Sequence, residues 1–136
     1  MNGDRTVTAA RPFLPGGRDY EASKRFYLAL GFTMTFDAGE VAGFDCGGAG
    51  GFLLQNYYHD GWAGNFMMQL LVADLDAWWE HIESLDLPGS FGVPAPKAPA
   101  VQPWGMLIAY LVGPCGELWH VAQDSARGSA TAEAKP

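Results

Sequence analysis

The stretch Asp19-Tyr20-Glu21-Ala22-Ser23-Lys24-Arg25-Phe26-Tyr27-Leu28-Ala29-Leu30-Gly31 decides how this chain is read, because its pattern returns at Asp74-Leu75-Asp76-Ala77-Trp78-Trp79-Glu80-His81-Ile82-Glu83-Ser84-Leu85. Asp19 and Asp74, Ala22 and Ala77, and Leu30 and Leu85 are each 55 positions apart. In the first copy Ala22, Phe26, Tyr27 and Leu30 fall on one helix face; in the second Leu75, Trp78, Trp79, Ile82 and Leu85 do. Each Asp suits an N-cap, where a carboxylate accepts from backbone N–H groups that have no helical partner. Gly31 is a natural C-terminal stop, and Pro88-Gly89 is expected to end the second helical region.

Outward from the helices, apolar runs read as strands. Phe13-Leu14, flanked by prolines, suits an edge or bent strand. Residues 33–36, 41–45 and 52–58 are β-like, divided by Gly39 and by Gly47 to Gly51. Residues 66–72 run into the second helix, and 106–112 with 117–123 form a hairpin across Gly113-Pro114-Cys115-Gly116. The stretch 88–103 carries five prolines and reads as a long loop or a broken edge strand. Each half is thus strand, helix and three strands. The expected fold is α+β: two βαβββ modules forming a curved, half-open mixed sheet with the helices outside and a concave inner face for a small molecule. Residues 1–10 read as a flexible N-terminus, 11–124 as one domain with modules at about 11–60 and 65–124, and 125–136 as a disordered tail.

Composition removes several functions. The chain has 136 residues, 49% hydrophobic and 17% charged, which fits a single folded domain. Its net charge of −7 repels phosphate backbones, so no nucleic-acid partner is expected; it favours cationic ligands or simply maintains solubility. No apolar run reaches the roughly 18 residues that span a bilayer, and no export signal opens the chain, so no membrane partner and a cytoplasmic location are expected. Cys46 and Cys115 lack zinc-type spacing and read as small buried hydrophobes. No Ser–His–Asp or Cys–His order and no phosphate loop is present, and no catalytic residue is assigned.

Arg18 to Tyr27 followed by Leu30-Gly31-Phe32 resembles the first-module signature of the vicinal oxygen chelate superfamily of glyoxalases, extradiol dioxygenases, and fosfomycin and bleomycin resistance proteins. Val72-Ala73-Asp74-Leu75-Asp76-Ala77-Trp78-Trp79 is similar to the matching second-module segment. Gly113-Pro114-Cys115-Gly116-Glu117-Leu118-Trp119-His120 is similar to the family ending D-P-x-G-N, with Gly113 where Asp is usual. Gln102-Pro103-Trp104-Gly105 resembles the Q-P-W-G segment of bleomycin resistance proteins. The resemblance implies a homodimer that sequesters a cationic antibiotic at its interface without chemistry.

Metal enzymes of that superfamily use two His and two Glu on four inner strands. The matching positions here fall at Arg11 or Pro12, Gln55, Met67 and His120. Arg and Pro cannot serve, Gln is weak and neutral, Met is soft, and one His cannot hold a divalent ion, so no metal and no cofactor are expected. His120 reads either as a polar group in the cavity or as a satisfied strand histidine. His59 reads as exposed in a turn, and His81 as a solvent-facing helix residue.

Aromatic residues make up 13% of the chain and offer flat faces for cationic or aromatic ligands. Trp104 is the foremost candidate for stacking. Phe36, Phe44, Tyr57 and Trp62 either line the same groove or pack the core. Trp119 alternates with His120, so if one faces the cavity the other faces a helix. Gln55, Gln69, Met67, Met68 and Met106 suggest a neutral, apolar cavity. The expected ligand site is therefore Trp104, His120, Gln55, Met67, Phe44, Tyr57 and Trp62, in a metal-independent small-molecule binding protein. The alternative is a metal-dependent glyoxalase-like lyase or dioxygenase.

Overall fold

The computed structural model describes residues 3–48 and 50–125. The tail expected from residue 125 lies, beyond Ser125, outside the described residues. Residues 3–12 carry no regular structure and are exposed.

The first half comprises β1 (Phe13–Pro15), α1 (Tyr20–Leu30), β2 (Thr33–Asp37), β3 (Val41–Asp45) and β4 (Gly51–Gln55). A short α2 (Asp60–Ala63) links it to the second half: β5 (Met67–Val72), α3 (Leu75–Ser84), α4 (Leu87–Phe91), β6 (Lys97–Val101), β7 (Leu107–Val112) and β8 (Leu118–Gln123). The sheet orders are β1-β4-β3-β2 and β5-β8-β7-β6, one topology used twice. In each, the first strand runs parallel to the last and the remaining pairs are antiparallel. The α+β class, the two modules and the open architecture are as expected. Hydrogen bonding divides the strands into two four-stranded sheets rather than one.

The 55-residue repeat has a physical cause. Asp19 Oδ1 accepts from Ala22 N at 3.2 Å, and Asp74 Oδ1 accepts from Ala77 N at 3.1 Å. The repeated Asp and Ala are the two ends of one capping bond. The same offset joins Gly31, φ +105°, to Asp86, φ +48°, so both helices are left through a left-handed residue. In the first half a strand follows. In the second, Asp86 starts a new helix, its Oδ1 accepting from Gly89 N at 3.2 Å. Pro88-Gly89 therefore lies inside α4 and does not end the helical region. Pro88 fits because the first turn of a helix needs no N–H from it.

β1 is an edge strand, as the prolines imply, and β6 is the opposite edge of its own sheet, with a register shift between Lys97 and Ala100. The strand expected over 52–58 stops at Gln55. Tyr57 N turns back to Gln55 O at 2.8 Å, and Gly17 N reaches Tyr57 O at 3.0 Å. That close passage requires glycine, since a Cβ at Gly17 would stand 2.5 Å from Tyr57 N.

Both helices pack on one side of their sheets and share a core. Trp119 of β8 sits among first-half rings, with centroids 5.6 Å from Tyr27, 5.7 Å from Phe32 and 5.7 Å from Phe52. Phe32 also meets Trp78 of α3 at 6.3 Å. Trp78 and Trp79 are both half-buried against this core. His81 is exposed as expected, yet its Nε2 lies 3.1 Å from Leu30 O and ties α3 to the end of α1. Among the described residues no helix is long and apolar enough to cross a membrane.

Candidate functional site

Strand alternation gives each sheet a side turned away from the helices. On the first sheet that side carries Phe13, Leu53, Gln55, Val41 and, over Gly43, the ring of Phe36. On the second it carries Met67, Gln69, Leu71, Leu118, His120, Tyr110 and Val112. Large apolar side chains stay open to solvent there: Phe13 is 50%, Met67 62% and Leu71 50% exposed.

β8 shows the alternation directly. Trp119 is buried at 1%, whereas its neighbour His120 is half-buried on the opposite side. The His120 ring stands edge-on to Tyr110, centroids 4.7 Å apart. Tyr110 donates its hydroxyl proton to Gln102 Oε1 at 3.0 Å. Gln102 also opens the turn that displays Trp104: its N donates to Met106 O, and Gly105 N donates to Gln102 O, both at 2.8 Å. Gly105, with φ +97°, completes that turn, and Trp104 is 59% exposed at its tip. Tyr110 was not anticipated, because its adjacency to His120 depends on register between strands rather than on any local pattern.

Of the other expected residues, Gln55 is on the open side of the first sheet and Met67 on that of the second. Tyr57 and Trp62 lie together in the segment joining the halves, their rings edge-to-face at 5.7 Å. With His59 and Gly61 they line a shallow cavity of about 390 Å³. His59 is exposed, as expected, and caps α2 by accepting from Trp62 N at 3.3 Å. Phe44 departs from the expectation of a groove-lining ring. It shares the helix side with Ala42, is 1% exposed and stacks on Phe52 at 5.3 Å. A second cavity, of about 490 Å³, lies between residues 8–11 and the turn after β3, with Thr35, Phe44 and Asp45 in its wall, so Phe44 borders this cavity while its ring packs in the core. The expected residues thus form separate groups within one chain: the β8 face with Trp104, the Gln55 face, and the Tyr57–Trp62 pair.

Register also tests the metal positions. Met67 is paired with Leu118, two residues before His120; Phe13 is paired with Leu53, two residues before Gln55. Phe13, rather than Arg11 or Pro12, is therefore the counterpart of Met67. Phe13, Gln55, Met67 and His120 supply one good donor, and this set does not fit a divalent ion. Among the described residues no three of His, Cys, Asp and Glu are grouped to hold a metal.

Behind the site lies a buried acid that the sequence did not disclose. Glu117 is fully buried; it accepts from the Tyr27 hydroxyl and, through Oε1, from Cys115 N at 2.9 Å. Trp119 Nε1 donates to the Tyr27 oxygen at 2.9 Å. Desolvation raises the Glu117 carboxyl above its usual range, against the downward pull of these hydrogen bonds, and desolvation with the nearby carboxylate raises the Tyr27 phenol well above its own. Gly113 is explained here: a Cβ there would meet the Glu117 carboxylate, and the Tyr27 hydroxyl at 2.8 Å.

Comparison with known proteins agrees with this architecture. Residues 16–121 match the model of the Glyoxalase/Bleomycin resistance protein/Dioxygenase superfamily. The chain is 33% identical over 119 residues to a bleomycin resistance protein of Klebsiella pneumoniae, covering 85% of this chain and 91% of that one. Among solved structures, a bleomycin-binding protein complexed with bleomycin superposes with a TM-score of 0.72 at 28% identity, covering 87% of this chain and 99% of that one. Lactoylglutathione lyase from Agrobacterium tumefaciens, at 19% identity and a TM-score of 0.63 over 90% of this chain and 98% of that one, shares the fold.

Proposed function

This chain belongs to the Glyoxalase/Bleomycin resistance protein/Dioxygenase superfamily, and on that premise we propose that it binds a bleomycin-type antibiotic and sequesters it, without a metal and without chemistry. The observation that carries the reading is the character of the open faces. They present an exposed Trp104, a half-buried His120, Gln55 and Met67, while the four positions that would ligate an ion hold Phe13, Gln55, Met67 and His120. Such a surface can stack on a heteroaromatic or cationic group and hydrogen-bond a few polar atoms, but it offers no Lewis acid and no nucleophile–base pair. Trp104, Tyr57 and Trp62 supply the rings, His120 and Gln55 the hydrogen bonds, and Met67 an adaptable apolar contact. Phe44 supports the first sheet from behind.

A homodimer is part of the proposal. Phe13, Met67 and Leu71 leave apolar side chains half or more exposed on the open sides of the two sheets, where a second copy could cover them. A second copy facing these sheets would bring the separate groups of site residues together. Cytoplasmic residence is the matching compartment for free thiols at Cys46 and Cys115.

Titration with metal-free bleomycin, followed by tryptophan fluorescence, is expected to quench and to saturate. Absence of quenching and of thermal stabilisation at high micromolar drug overturns this ligand. Elemental analysis of protein purified without chelator is expected to find no stoichiometric divalent ion; finding one would favour a metal-dependent lyase or dioxygenase. Light scattering at micromolar concentration should report twice the chain mass.

A further inference from the structure

Three hydrogen-bonding side chains stand in one line across the second sheet, and the line ends on β6 at the exposed Lys97, the register partner of Tyr110. Gln69 is the partner of His120 in the parallel pairing of β5 with β8, and Tyr110 is the partner of the same His120 in the antiparallel pairing of β7 with β8. Gln69 is exposed, and His120 and Tyr110 are half-buried. The rows on either side are apolar: Met67, Leu118 and Val112 on one, Leu71, Ala122 and Ile108 on the other. On the first sheet, the row Pro15, Gln55 and Val41 has a single polar side chain.

A polar line inside an apolar surface is costly to cover unless the covering molecule meets it with matching groups. Tyr110 has given its only proton to Gln102, so towards the open side its oxygen can only accept. Gln102 is itself held, its Nε2 donating to Ala100 O at 3.1 Å. Gln69 and His120 make no side-chain hydrogen bond among the described residues. The line therefore offers a carboxamide, an imidazole and an acceptor-only oxygen, at the strand spacing of about 4.8 Å, with the cationic Lys97 at its edge. It contains no carboxylate.

We propose that Gln69, His120 and Tyr110 determine specificity by receiving an uncharged, amide-bearing segment of the ligand laid across the strands, with an N–H directed at the Tyr110 oxygen. Gln102 is the positioning residue that fixes this polarity. This deepens, and rests on, the reading of the face as a ligand site. Cationic parts of the ligand are then held away from this line. Because Gln102 also opens the Trp104 turn, one residue ties the stacking ring to the hydrogen-bonding line.

The test uses two probes on the full chain and on Tyr110→Phe, Gln69→Leu and Gln102→Leu, each first checked for cooperative thermal unfolding. Metal-free bleomycin is followed by tryptophan fluorescence. N-methylacetamide is followed by the side-chain ¹H–¹⁵N resonances of Gln69 and His120, with tetramethylammonium as the cationic comparator. Tyr110→Phe and Gln69→Leu should each weaken antibiotic binding about five- to tenfold, the worth of one net hydrogen bond. Gln102→Leu should weaken it similarly, and combining it with Tyr110→Phe should add little. N-methylacetamide should shift both resonances in the wild type and much less in Tyr110→Phe, and tetramethylammonium should shift neither. Antibiotic binding within twofold of wild type in both Tyr110→Phe and Gln69→Leu overturns the proposal while leaving the antibiotic reading in place. A larger shift with tetramethylammonium than with the amide also overturns it. If the wild type ignores bleomycin but the amide shifts the line, the named antibiotic falls and the line stands.

Discussion

The two sides of β8 are made of alternate residues on one strand, yet they are finished to different degrees. On the helix side, Trp119 donates to Tyr27, Tyr27 donates to Glu117, and Glu117 also accepts from Cys115 N. On the other side, His120 touches one ring, and Trp104 stands exposed on a neighbouring turn. The first side spends its polar groups internally and holds the halves together. The second keeps its polar groups available. A period of two lets one strand carry the fold and the binding face with little interference.

Breaking this contrast should be most costly from the inside. Trp119→Ala removes the ring that joins both halves and leaves the Tyr27 hydroxyl without its donor; calorimetry should show a loss of about 3–5 kcal/mol. His120→Ala, one residue away, should leave the melting temperature almost unchanged while weakening ligand binding. A loss of stability comparable to that of Trp119→Ala would show that the open side is structural after all.

Trp104→Ala sharpens the other half of the contrast. Its ring is 59% exposed, so unfolding should scarcely change. Antibiotic affinity should fall about tenfold or more, read by titration calorimetry.

Removing the caps compares the two halves. Asp19→Ala and Asp74→Ala each delete one bond of the same kind, and each should cost about 1 kcal/mol in denaturant unfolding. A marked inequality would show that the repeat is less symmetric energetically than it is geometrically.

The smallest expected effect is a pH dependence. Burial raises the carboxyl of Glu117 in the folded chain, so the folded state binds its proton more tightly than the unfolded state does. The stability from that proton is complete below the ordinary glutamate range and lost as pH rises through the raised value. Melting temperature should therefore gain a contribution on acidification from neutral pH towards about 4.5, and Glu117→Gln should abolish it. Asp37 works in the opposite sense: Gly39 N and Lys24 hold its carboxyl low, so its contribution is present above about 3.8 and is lost in stronger acid. Between these two ranges the Glu117 signal should be visible by itself.

Much of the fold was legible because its signals are local. The Asp–x–x–Ala spacing is the capping bond, Gly31 is the helix stop, and the prolines around β1 and within β6 mark edges. The side taken by Trp119 relative to His120 followed from alternation alone. Other features were hidden because they depend on distant partners. Pro88-Gly89 reads as a terminator until Asp86, in a left-handed conformation, is seen to begin a new helix. Tyr57 extends an apolar run, but Gly17 passing close by holds it outside the strand. Phe44 fitted a groove as well as a core until register put it beside Phe52. Glu117 sits in a turn-like motif, where an acid is ordinarily solvated, and only the fold brings Tyr27 to it.

Gly113 and Glu117 are bound to each other by space: a Cβ at 113 would occupy the place of the Glu117 carboxylate. Gly113→Asp would shut a second carboxylate into the dry space beside Glu117 and Tyr27. The bare Cα at 113 is thus the room in which the acid of Glu117 is stored, and any side chain placed there evicts it.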